Sequence, residues 1–124
     1  MNNIKIGKIG ENLAYKYLIN NSYLILSRNH RERFYEIDII ARDKTGILIF
    51  CEVKTINGYD GRNIGFMPED NLSPQKRRKM AFAANMFISR HPRLVIEEVG
   101  WRMDLVAVVL KNERFFDLRH YKNI

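Results

Sequence analysis

Glu36-Ile37-Asp38-Ile39-Ile40-Ala41 and Ile47-Leu48-Ile49-Phe50-Cys51-Glu52-Val53-Lys54 are two runs rich in β-branched residues, with the turn Asp43-Lys44-Thr45-Gly46 between them. They read as neighbouring strands of one hairpin, because β-branched side chains suit a pleated surface and the turn carries glycine. Strands of this composition belong in a core, where charge is costly unless it is paired or holds a metal. Asp38, Glu52 and Lys54 therefore mark where chemistry is to be sought. With Lys44-Thr45-Gly46 as a three-residue loop and Gly46 left-handed, Arg42 faces Leu48, Ile40 faces Phe50 and Asp38 faces Glu52. Glu36 then lies opposite Lys54. Opposed side chains share a face, so Asp38, Glu52 and Lys54 converge. A slip of one residue would put Asp38 opposite Cys51, on the other side of the sheet from Glu52.

Outward from the hairpin, residues from about Ile4 to Asn20 read as a helix, with Ile6, Ile9, Leu13 and Tyr17 at helical spacing. Glu11 projects at the edge of that stripe, one turn from the small residues Gly7 and Ala14. Tyr23 to Leu26 begins a strand, and a polar, arginine-rich connection from Arg28 to Arg33 leads into the hairpin. After Lys54 a long loop carries Gly58, Gly61 and Gly65. Ser73-Pro74 then signals a second helix, running to about Ser89 before His91-Pro92. Leu94 to Ile96, Trp101 to Leu110 and Phe115 to Leu118 read as further strands. The expected order is αβββαβββ, an α/β fold with a mixed central sheet flanked by helices.

The 124 residues suit one domain spanning the whole chain, and their apolar and charged fractions are those of a globular protein. No stretch is apolar and long enough to span a bilayer, and the N-terminus lacks a signal-peptide pattern, so no membrane partner is expected. Cys51 stands alone and cannot form an internal disulfide, which fits a reducing cytoplasm. A net charge of +7 suits a polyanionic partner. His30, His91 and His120 have no zinc-like spacing with Cys51.

Hard cations such as magnesium take oxygen ligands, commonly from only one or two protein carboxylates. Asp38 and Glu52 supply such a pair, and the Val53 carbonyl adds a third oxygen. Lys54, two residues after Glu52, reaches the same face and suits orienting a water or stabilising phosphate oxygens. The structural alternative is a cross-strand salt bridge on a solvated sheet face. Lys76-Arg77-Arg78-Lys79 opens the second helix; its default role is a solvated surface, and Lys76 is the residue placed to reach a phosphate. Arg28, Arg31, Arg33 and Arg62 are candidates for positioning phosphates. Tyr59 and Phe66 suit either stacking on bases or anchoring the long loop. Asp104 is assigned to structure, as a buried partner of Arg102 or of a nearby backbone group.

Glu36 to Asp43 followed by Phe50-Cys51-Glu52-Val53-Lys54-Thr55 resembles the paired signature of the YraN family, small bacterial proteins similar to Holliday-junction resolvases. The likeness extends to Gly7-x-x-Gly10-Glu11-x-x-Ala14, Arg28-Asn29, Ser73-Pro74-x-Lys76 and Arg102-x-Asp104-Leu105-Val106. The resemblance implies a restriction-endonuclease-like domain of the PD-(D/E)xK type. It implies Asp38 and Glu52 as magnesium or manganese ligands, Lys54 as the catalytic lysine, and Glu11 as a further acidic ligand from the first helix. Three positions depart from the pattern: Tyr35 stands for a glycine, Ile37 for the proline of the superfamily's name, and Ile56 for a basic residue.

The expected function is metal-dependent endonucleolytic hydrolysis of nucleic acid, in branched or damaged DNA, with a symmetric pair of chains where two strands must be cut. The alternatives are a nucleic-acid-binding module without cleavage, and a structural or protein-interaction domain whose charged face is a salt-bridge ladder.

Overall fold

In the computed structural model, which describes residues 2–59 and 72–124, the chain runs α1 (Asn3–Asn20), β1 (Leu24–Arg31), β2 (Glu36–Arg42), β3 (Leu48–Asn57), α2 (Pro74–Arg90), β4 (Trp101–Leu110) and β5 (Phe116–Tyr121). The strands form one sheet in sequence order, β1-β2-β3-β4-β5. Only β3 and β4 are parallel, and α2 lies in the crossover between them. This is the mixed sheet flanked by helices of a restriction-endonuclease-like α/β fold. No helix among the described residues is long and apolar enough to cross a membrane.

The hairpin register matches its turn chemistry. Arg42 pairs with Leu48, Ala41 with Ile49, Ile40 with Phe50 and Ile39 with Cys51. Gly46 sits at φ +99, a conformation that glycine adopts without penalty. Asp43 locks the turn: its Oδ1 accepts hydrogen bonds from the Thr45 and Ile47 amides and from the Thr45 hydroxyl.

Strand alternation divides the core in two. Ile39, Ala41, Ile49, Cys51, Val106 and Val108 face α1, whose buried stripe is Ile6, Gly10, Ala14 and Leu18. Ile40, Leu48 and Phe50 face α2 and pack against Ala83, Ala84 and Phe87. Both helices start on side-chain caps, Asn2 accepting from the Lys5 amide and Ser73 from the Lys76 amide. Close approach of α1 to the sheet depends on Gly10 rather than on Gly7, which has open space beside it. A Cβ at residue 10 would fall on the Thr55 side chain. Gly10→Ala is therefore expected to cost about 1–3 kcal/mol in urea denaturation through overpacking. Gly7→Ala should be neutral or mildly stabilising, since alanine favours the helix.

Two expectations are corrected. The arginine-rich connection is shorter than its composition suggested: Arg28 and Arg31 belong to β1, paired with Ile39 and Glu36 of β2. An edge strand needs only one apolar face, so polar alternation there was compatible with pairing. Leu94 to Ile96 form no strand. Pro92–Leu94 is a 3-10 turn, and Leu94 and Val95 are held by packing on the α2-side core instead of by a ladder. The order is thus αβββαββ. The three departures from the family pattern are all buried: Tyr35, Ile37 and Ile56 fill core space.

Candidate active site

The ladder between β2 and β3 stops at Ile39–Cys51, one step before Asp38 and Glu52. Beyond it the strands follow different partners. Glu36 and Ile37 stay with β1, pairing with Arg31 and His30, while β3 continues along β4 as far as Asn57–Leu110. The sheet forks here. The Asp38 carboxylate bridges the mouth of the fork, its Oδ2 accepting the Val53 N–H at 2.8 Å. A residue in an extended strand turns its N–H and C=O to the same edge, so the Val53 carbonyl also faces the side that β2 has vacated.

Glu52 and Lys54 alternate with Cys51 and Val53, and so share the α2 side of the sheet with Phe50. Alternation breaks at Asp38, between Ile37 of the α2-side core and Ile39 of the α1-side core, and its carboxylate turns to the β3 edge. Asp38, Glu52 and Lys54 are all half-buried. Burial pushes the Asp38 carboxyl up to about 6, against the lowering effect of the Val53 N–H and with the charges of Glu11 and Glu36 adding to the rise. Burial likewise pushes Glu52 up to about 7, reinforced by Asp38 and Glu36 and opposed by Lys76 and Lys54. Among the described residues no ion pair joins either carboxylate to Lys54 or Lys76. Two partly desolvated carboxylates thus face each other with lysines near but not docked. That arrangement is costly for a merely structural surface, and it suits a cation.

Glu11, from α1, is half-buried and close enough to act on the charge of Asp38. Lys76 is exposed in the first turn of α2, where its core-facing position was expected; its charge still reaches Glu52. The two arginines of β1 part company. Arg31 approaches the fork, its Nε 3.4 Å from the Glu36 carboxylate. Arg28 lies on the α1 side, over the Tyr15 ring at 4.3 Å and bonded to Asn12 at 2.7 Å. Arg62, Gly61, Gly65 and Phe66 lie outside the described residues. Tyr59 packs against the α1-side core, the anchoring role.

Glu36 is the residue that sequence reasoning left out of the site. Its charge raises both carboxyls. Its place two residues before Asp38 was the available signal. Among the described residues no three acidic, histidine or cysteine side chains are gathered tightly enough to enclose a metal. Asp38 and Glu52, with the Val53 carbonyl, match instead the open, water-rich shell that magnesium prefers.

The raised carboxyls set a pH dependence. Both are higher in the folded chain than their ordinary values of 3.8 and 4.5. Protonation therefore favours the folded state, and that contribution is complete below about pH 4 and lost as pH rises through about 6 and 7. Without divalent cations, the pair should cost on the order of 2 kcal/mol of unfolding free energy between pH 5 and pH 8. Glu52→Gln should flatten that decline in urea titrations with chelator present; an unchanged slope would show that the pair is not desolvated.

A model of the family described as "Uncharacterised protein family UPF0102" matches residues 10–108. A UPF0102 protein of Dictyoglomus turgidum is 38% identical over 111 residues, 89% of this chain and 86% of the relative. One from Clostridium botulinum is 36% identical over 108 residues, covering 87% and 82%. One from Trichlorobacter lovleyi is 32% identical over 122 residues, covering 98% and 90%.

Proposed function

The chain belongs to the uncharacterised protein family UPF0102, and from that premise we propose that it is a cytoplasmic, nucleic-acid-binding endonuclease. It hydrolyses phosphodiester bonds with magnesium or manganese, in branched or damaged DNA. The observation that carries this reading is the fork itself: Asp38 and Glu52 converge half-buried, without ion-paired partners, beside Lys54. The salt-bridge-ladder alternative needs those partners docked.

In the proposed mechanism Asp38, Glu52 and the Val53 carbonyl would hold the cation, with Glu11 as a supplementary ligand from the helix. A bound divalent cation supplies charge neutralisation at the phosphate and a more acidic water. The chain does the rest. Asp38, fixed by the Val53 amide, keeps its free oxygen at the mouth of the fork. Lys54, extending from the same strand as Glu52, orients the attacking water and offsets the negative charge that builds on the phosphate oxygens. Lys76 and the amino end of α2 favour an anion on the flank, where a neighbouring phosphate would lie. Arg31 and the overall charge of +7 contribute affinity without base selection.

Cutting two strands of a junction requires two such forks, so a homodimer is part of the proposal. The test is incubation with single-stranded, duplex, flap and four-way-junction DNA, with magnesium, with manganese and with chelator. Metal-dependent cleavage of one of them supports the reading. Salt-sensitive binding with no turnover on any substrate would favour the non-catalytic module instead.

A further inference from the structure

At the opposite end of the hairpin, the last turn of α1, Tyr23, the β2–β3 turn and Lys122 enclose a cleft of about 240 Å³ lined by Tyr17, Asn21, Tyr23, Asp43, Lys44, Thr45 and Lys122. It is separate from the fork: Asp43, in the turn just past β2, is five residues from Asp38, or ~17 Å along an extended chain.

The hydrogen bonds already made within the cleft determine what it can take. The acidic side chain there is already satisfied. Asp43 Oδ1 accepts from Thr45 and Ile47, and its Oδ2 accepts from Arg102 Nη1 at 3.1 Å, a guanidinium it shares with Asp104. The Thr45 hydroxyl is spent on Asp43, and the Asn21 amide donates to the Tyr17 carbonyl. The Tyr17 hydroxyl is engaged with His120 Nδ1 at 2.9 Å. Tyr23 is different: its oxygen accepts from Arg102 Nη2 at 3.1 Å, which leaves its own proton to donate. Lys44 and Lys122 are exposed and, among the described residues, form no ion pair or hydrogen bond. What the cleft offers is therefore two ammonium groups and a phenol O–H, with both oxygens of its carboxylate already hydrogen-bonded.

We infer that this cleft is a second binding site, for a phosphomonoester of nucleotide size. Free donors and unmatched positive charge select a ligand rich in acceptors, and a phosphate dianion fits that description. The volume is larger than a bare oxyanion needs and lies just below the ~300–1,000 Å³ of small-molecule pockets. The Tyr17 and Tyr23 rings give the organic part an apolar wall. Tyr17 is a wall and not a nucleophile, because burial and nearby Tyr23, Cys51 and Asp104 push its phenol up and keep it protonated. A free nucleotide and the phosphorylated end of a strand present the same chemistry.

The test uses the full chain in chelator, at neutral pH and low salt, titrated calorimetrically with AMP, adenosine, inorganic phosphate, and a dinucleotide with and without a 5′-phosphate. AMP or the 5′-phosphorylated dinucleotide should bind at least tenfold more tightly than the forms lacking phosphate, and the tighter of the two identifies the source. Combining Lys44→Ala with Lys122→Ala should weaken that binding at least tenfold, and Tyr23→Phe by a few fold. Asp38→Asn should leave it unchanged. Absence of saturable binding at millimolar concentration would overturn the inference, as would full binding by the double-lysine variant or its loss in Asp38→Asn. Inorganic phosphate binding as tightly as AMP would overturn the nucleotide-size assignment.

Discussion

Asp38→Ala is expected to abolish metal-dependent cleavage, lowering the rate by roughly a thousandfold or more, which at about 1.4 kcal/mol per tenfold is several kcal/mol of transition-state stabilisation. Two roles fall together in this residue. In the proposed mechanism its carboxylate is a cation ligand, and its bond to the Val53 amide fixes the spacing between β2 and β3 where the ladder has ended. Lys54→Ala should lose about a hundredfold to a thousandfold, the range seen when one preorganised charge-stabilising donor is removed. The two variants should differ in metal affinity: Asp38→Ala loses it, Lys54→Ala keeps it. Neither should unfold the chain, because relieving one of two facing carboxylates, or removing a half-buried lysine without an ion pair, leaves the two cores untouched. Equal turnover by wild type and both variants would contradict the account.

Asp104→Ala is expected to have the largest effect on stability. Asp104 is fully buried on β4, yet it is ionised: Oδ1 accepts from Arg102 Nε at 2.9 Å and from the Asn123 amide at 3.0 Å. Oδ2 accepts from His120 Nε2 at 2.7 Å and from Arg102 Nη2 at 3.2 Å. Despite burial, the hydrogen bonds from His120 and Arg102, with that of Asn123, hold its carboxyl below the usual range. On the other side of the ring, His120 Nδ1 is hydrogen-bonded to the Tyr17 hydroxyl at 2.9 Å. The same guanidinium reaches Asp43 and Tyr23, so one buried network ties the hairpin turn, α1, β4 and β5 together. Truncating Asp104 leaves Arg102, only 13% exposed, with Asp43 and Tyr23 but takes the acceptor from its Nε, from His120 Nε2 and from the Asn123 amide, and the expected cost is about 3–5 kcal/mol in urea denaturation at pH 7. Much of that is the penalty of those buried donors left unpaired, so Asp104→Asn, which keeps one acceptor oxygen, should cost less. A loss under about 1 kcal/mol would mean that water replaces the carboxylate.

The hairpin was legible because its determinants are local. Gly46 fixes the loop, the β-branched runs fix the strands, and a period of two puts Glu52 and Lys54 on one face, with Asp38 near enough to act on the charge of Glu52. The fork was not legible. It arises because Glu36 and Ile37 prefer β1 while Glu52 to Asn57 prefer β4, a competition between partners distant in sequence. The same limit hid the share of His120 in the Asp104 network, since only the pairing of β4 with β5 brings the two together. Leu94-Val95-Ile96 illustrates the ambiguity of a short apolar run: Leu94 and Val95 are buried by α2, and the Leu94 carbonyl is satisfied by the Arg42 side chain rather than by a strand. Charge alone could not separate Arg28 from Arg31. Arg28 bonds to Asn12 of α1, and Arg31, beyond the left-handed Asn29, reaches toward Glu36.

The most direct test of the fork as a metal-dependent site is a crystal of the protein soaked with manganese and recorded at a wavelength where that ion scatters anomalously. The account predicts one strong peak bounded by the carboxylates of Asp38 and Glu52 and the carbonyl of Val53, absent in crystals of Asp38→Asn. Well-ordered crystals at saturating manganese with no peak in the fork would contradict it.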